Sequence, residues 1–149
     1  MRITHIAFAV VLTQLVAQNV SADSPTNEVR AVFESFVMLE RKFDPAAADL
    51  YADEAILRHT RHLSNRTTRL ITLPASKFKP LMRETMPVAK QHNDTSLYTN
   101  VVVKQEGEKV RLTCTRYSEL KRYTGRFTVV FANQGGKWQI VEEISESRP

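Results

Sequence analysis

The sequence has a single cysteine, Cys114, so it can close no internal disulfide, and its fold must be held by a hydrophobic core. Cys114 lies at alternate spacing with Val110 and Leu112 and reads as a small buried hydrophobe. Only four glycines are present, and none sits in a loop that could cradle a phosphate. There is no G-x-S-x-G elbow and no paired catalytic-carboxylate motif, and no cofactor is expected. The net charge is +5, but the basic residues are scattered, without a basic run or base-stacking motif. Nucleic acid is therefore not an expected partner. No apolar stretch reaches the roughly 20 residues that span a bilayer as a helix. Internal repeats and low-complexity segments are absent as well.

What is present begins with an address. A short positive start, Met1-Arg2-Ile3-Thr4-His5, precedes the mostly apolar run Ile6–Val16 and the small residues Val20-Ser21-Ala22. This pattern describes a secretory signal peptide cut after Ala22, leaving one domain, residues 23–149. An uncleaved anchor is the alternative, and the apolar run is short for it. The expected location is periplasmic or extracellular, with no membrane span in the mature chain.

Ser24-Pro25 then offers a cap and a first-turn proline. Val29, Val32, Phe33, Phe36 and Val37 follow at helical spacing, with Arg41 and Lys42 in the last turn, which predicts a helix over Pro25–Lys42. Asp44-Pro45 repeats the signal for a short helix, Ala46–Tyr51. Strands are expected at Ala55–Thr60 and Thr67–Leu73. A further helix is expected over Lys77–Met86, capped by Ser76 and ended by Pro87. The last third carries four β-branched and aromatic runs: Leu97–Gln105, Val110–Tyr117, Tyr123–Ala132 and Trp138–Ser145. Short Gly-bearing turns separate the first pair and the last pair, which predicts a four-stranded antiparallel meander.

This order of elements, the stretch Leu50-Tyr51-Ala52-Asp53-Glu54-Ala55 and the late Gly136-Lys137-Trp138-Gln139-Ile140-Val141 resemble the nuclear transport factor 2-like superfamily, with its ketosteroid isomerase-like and polyketide-cyclase-like members. The resemblance covers Glu28 to Ser145. It implies a cone-shaped α+β roll, in which a curved, mostly antiparallel sheet wraps around the long first helix. It also implies a pocket at the open end of the cone and a homodimer through the outer face of the sheet, where Val102, Val130 and Val141 would lie. It does not imply one function, because the fold hosts isomerases, dehydratases, cyclases, ligand binders and assembly modules.

Four residues stand out as site candidates. In ketosteroid isomerase-like members a carboxylate base follows the Leu-Tyr-Ala-Asp type of motif, and counting from Leu50 the matching position is His59. His59 shares a strand face with Ala55 and Leu57, and a histidine can move a proton at neutral pH, or simply sit in a satisfied hydrogen bond. Arg116 follows the inward series Val110, Leu112, Cys114, and Glu142 follows Trp138 and Ile140, so the two could meet as an ion pair or an anion site. A slip of one residue would exchange Arg116 for Arg111 or Tyr117, and Glu142 for Val141 or Glu143. Tyr51 could lend a phenol to the pocket or merely pack. The pair His59 and His62 does not read as a metal site, because residues three apart on a strand point to opposite faces and no third ligand is evident.

The readings that follow are three. One is a non-catalytic exported domain that binds a small ligand, an anion among the candidates, in the cone or a protein on its sheet. The second is a lyase, isomerase or cyclase that uses His59 as general acid or base. The third is a component of an envelope or secretion assembly.

Overall fold

The computed structural model describes residues 24–148. The expected signal peptide, residues 1–22, lies outside the described residues. Helix α1 (Pro25–Arg41) starts with Pro25 in its first turn and carries Glu28 there, with Arg41 in its last turn. Both charges suit the helix dipole. Ser24 does not cap with its side chain, as the sequence led one to expect. Its hydroxyl bonds Thr26 Oγ1 at 2.9 Å, and its carbonyl accepts from the amides of Asn27 and Glu28. Asp44 does cap, accepting from the amide of Ala46 at 2.9 Å, and opens a short 3-10 helix, Pro45–Leu50.

Six strands follow in the expected order, five of them with wider bounds and β2 shifted by one residue. They are β1 (Tyr51–His62), β2 (Thr68–Pro74), β3 (Ser96–Glu106), β4 (Lys109–Ser118), β5 (Tyr123–Gln134) and β6 (Lys137–Ser147). They form one sheet in the order β2-β1-β6-β5-β4-β3. All pairings are antiparallel except β1 with β6, which is parallel. The two-residue connection of β5 to β6 is Gly135-Gly136, with φ of +61° and +92°, the backbone that a tight hairpin turn demands.

Helix α2 (Ala75–His92) corrects two expectations: Pro74, not Ser76, stands at its start, and it runs through Pro87 to a left-handed cap at Asn93. An internal proline costs a helix about 3 kcal/mol. The apolar face of α2, with Phe78 and Met86 buried, continues through Ala89 against the rest of the fold, and that packing offsets the loss. Among the described residues, no helix is long and apolar enough to cross a membrane.

The sheet curves without closing, and α1 lies in its hollow. Val29, Phe33 and Phe36 of α1 meet Leu112, Phe127, Val129, Phe131 and Ile140 from the strands in one core. Phe36 stacks on Phe127 with ring centroids 6.2 Å apart. Each such aromatic buries enough area for roughly 1.5–3 kcal/mol. Three irregularities bend the sheet: between Tyr51 and Ile56 in β1, between Thr99 and Val102 in β3, and opposite Val130 and Phe131 in β6. The last decides which side chains enter the cone.

Candidate functional site

Seven elements converge at one end of the hollow, around a cavity of about 230 Å³. Its apolar wall is Phe36 from α1, Leu57 from β1, Met82 and Met86 from α2, and Phe127 from β5. Its polar side chains are Glu40, Tyr51, Thr85, Asp94, Tyr98, Arg116 and Glu143. Glu40 reaches it because it stands four residues after Phe36 on the same helix face. Tyr98 and Arg116 reach it as cross-strand partners of β3 and β4.

The polar groups are arranged in pairs. Tyr98 donates its hydroxyl to Glu40 at 2.8 Å, and Tyr51 donates its hydroxyl to Glu143. Burial raises the pKa of Glu143, although Tyr51, Arg116 and Ser145 favour its ionised form. Burial also raises Glu40, which the nearby Glu143 charge pushes further, while Arg116 and Tyr98 pull it back. The Tyr51 phenol is held well above its ordinary range, first by burial and then by the Glu143 charge. Arg116 donates Nε to Ser96 Oγ at 3.0 Å. Among the described residues it makes no direct ion pair, and its terminal amino groups have no protein acceptor. Burial works against its charge, but Tyr98, Glu40, Tyr123 and Glu143 more than compensate, and its pKa is raised.

Of the four sequence candidates, Tyr51 and Arg116 line the cavity. His59 lies on the same inner row of β1 as Leu57, level with Ser145 of β6, and is outside the cavity lining. Its Nδ1 bonds Ser145 Oγ at 2.9 Å and its Nε2 bonds Ser147 Oγ at 2.8 Å. Burial lowers its pKa, with Arg116, Lys121 and Arg61 adding to the effect, which favours the neutral ring.

Glu142 is a correction. It is on the other face, paired with Arg58. In β6, Ile140 sits opposite Phe131 and Glu142 opposite Val130, so Val141 is an extra residue that the partner strand does not match. That bulge reverses the alternation, and Glu143 and Ser145 turn inward in place of Glu142. Ile144 is accordingly 39% exposed. Sequence reasoning also missed Glu40 and Tyr98. The signal for Glu40 was its place on the apolar stripe at helical spacing from Phe33 and Phe36. On the outer face Val102 is 61% exposed as expected, but Val130 is only 4% exposed and presents little surface. Cys114 is buried as the sequence implied, and burial pushes its thiol up to about 12.

No protein-family profile matches the chain, and no curated protein does. Solved structures do. A nuclear transport factor 2-like protein of unknown function from Pseudomonas putida KT2440 superposes with a TM-score of 0.62 at 17% identity, over 82% of this chain and 85% of its own. Another from Shewanella oneidensis MR-1 gives 0.61 at 17% identity, over 83% and 99%. A candidate dehydratase of the same family from Streptomyces avermitilis gives 0.62 at 16% identity, over 83% and 96%. At such identities the likeness is one of fold.

Proposed function

Because this chain has the nuclear transport factor 2-like fold, a scaffold that leaves function to its cavity, we propose that it is an exported, non-catalytic protein whose cone binds a small carboxylic acid. The observation that carries this reading is Arg116, a charged guanidinium in a cavity wall with both terminal amino groups unbonded to protein. A carboxylate offers two oxygens in the geometry of those two groups. Glu40, Glu143 and Asp94 line the same cavity and would repel it while ionised, and burial inclines Glu40 and Glu143 towards their neutral forms. Binding would therefore draw in a proton and strengthen as pH falls. The cavity, at about 230 Å³, is below the roughly 300–1,000 Å³ of drug-sized sites, so the ligand is small. The non-catalytic part rests on His59, whose two ring nitrogens are both engaged by serine hydroxyls. Export rests on the pattern of residues 1–22. Self-association through the outer sheet face rests on the exposure of Val102 and Ile144.

The test uses chain labelled with ¹³C at its methionine methyls. Met82 and Met86 line the cavity, so their signals should move saturably with short carboxylic acids and much less with the matching amides. Arg116→Gln should weaken acid binding at least tenfold. Unmoved Met82 and Met86 signals across a panel of acids, or equal binding of amides, would end the reading.

A second reading, proton-transfer catalysis, is favoured by the two buried carboxyl groups beside Arg116, which could act as acid and base more directly than His59. Here the acid recovered after incubation would be chemically changed, whereas a binding protein returns it intact.

A further inference from the structure

A second concavity, of about 470 Å³, lies between α1 and the free edge of the sheet at β3. Its floor is apolar: Phe33, Val37 and Met38 from α1, with Tyr98 and Val101 from β3. Met38 is 51% exposed there, an unusual amount for a large apolar side chain on a helix that otherwise buries its stripe. The Tyr98 ring borders both the trough and the cone cavity. It stands 5.5 Å from Phe33 and 5.3 Å from Phe127, with its hydroxyl held by Glu40.

The rim is cationic. Arg30 stands at one end and the neighbours Arg41 and Lys42 at the other, about 18 Å along the helix. None of the three makes an ion pair among the described residues. Glu34 is the one acid of the rim, and it lies one turn from Arg30, where it offsets that end. The Glu40 carboxylate accepts from Tyr98 and makes no ion pair with Arg41 or Lys42. An apolar channel that ends in two uncompensated cations matches a molecule with an apolar tail and one anionic head.

We propose that this trough is a second binding site, distinct from the cone cavity, for a free fatty acid, with its tail along Phe33, Val37 and Met38 and its carboxylate on Arg41 and Lys42. An added β-strand fits the same edge poorly. The irregularity between Thr99 and Val102, with Asn100 at φ +55°, breaks the straight row of donors and acceptors that strand addition needs. Residues 1–22 of this chain fit poorly too, because they contain no acidic residue to meet Arg41 and Lys42.

The same methyl-labelled chain tests this site independently of the first, because Met38 lines the trough while Met82 and Met86 line the cone. Met38→Leu identifies the Met38 signal. Dodecanoate, kept below its aggregation concentration, should shift Met38 saturably and leave Met82 and Met86 in place. Decanoate should bind roughly tenfold more weakly, for the loss of two methylenes. Dodecanol should bind at least tenfold more weakly than dodecanoate. The exposed pair Arg41→Gln with Lys42→Gln should weaken dodecanoate at least tenfold while lowering the melting temperature by no more than a few degrees, about the contribution of Arg41 at the end of α1. The proposal is overturned if dodecanoate moves Met82 and Met86 instead, if dodecanol binds as well, or if the double variant binds unchanged. It is equally overturned if phosphatidylglycerol vesicles shift Met38 and free dodecanoate does not, since the site would then be a membrane contact.

Discussion

Replacing Tyr51 by Phe removes one oxygen and leaves the ring in place, so its effect isolates the hydrogen bond to Glu143. Tyr51 is 1% exposed and Glu143 is 7% exposed, so bulk water reaches the pair little. A bond to an ionised group contributes about 1.5–3 kcal/mol, and a neutral one about 1 kcal/mol. The penalty of Tyr51→Phe should thus be about 2–3 kcal/mol where Glu143 is ionised and about 1 kcal/mol where it is protonated. For a domain of this size the ionised case corresponds to roughly 6–12 °C of melting temperature. The pH at which the penalty changes reports the carboxyl itself. Burial raises Glu143 above 4.5, so the native state keeps this proton to a higher pH than the unfolded chain. The resulting stability is complete below about 4.5 and is lost as pH rises through the folded value. Tyr51→Phe favours the protonated form further and should steepen that loss. Urea denaturation at intervals from pH 4 to pH 8, for wild type, Tyr51→Phe, Glu143→Gln and the double variant, gives the whole profile. Glu143→Gln should flatten it, and the double variant should show no further pH-dependent loss. A penalty below about 0.5 kcal/mol at every pH, or a step below pH 4.5, would refute the reasoning.

Three other outcomes follow from the same coordinates. The His59 ring should titrate below its ordinary 6.5 in an NMR pH series, because burial and Arg116 both disfavour its charge; a midpoint at or above that value would contradict the packing. Gly125→Ala should cost about 1–3 kcal/mol, since the added methyl would meet Glu146 Cγ at 2.9 Å and the Glu146 carbonyl oxygen at 3.1 Å; a neutral variant would show that β6 can give way there. Phe36→Ala should cost about 3–5 kcal/mol in urea, because Phe36 is 5% exposed and touches both the α1 stripe and Phe127; a loss under about 1 kcal/mol would place it outside the core.

Much of this architecture was written locally. The stripe Val29, Phe33, Phe36 defines the buried face of α1, and the alternation Val110, Leu112, Cys114 carries Arg116 to the inner face. Two-residue glycine turns mark the hairpins, and the Tyr51 position follows from the end of a capped short helix. Each of these depends on neighbours three or four residues apart along a helix, or two apart along a strand, so a single sequence exposes it.

The cavity's acidic half was decided elsewhere. Glu143 replaces Glu142 because Val141 has no opposite number on β5, a mismatch that exists only once the two strands are paired. Helix α2 outlasts Pro87 because the fold packs Met86 and Ala89, and no local propensity contains that contact. Glu40 looks like the solvated end of a helix until Tyr98, fifty-eight residues later in the chain, comes to cover it. Periodicity is a property of one segment, whereas a bulge and a covered charge belong to the surfaces that two distant segments make together.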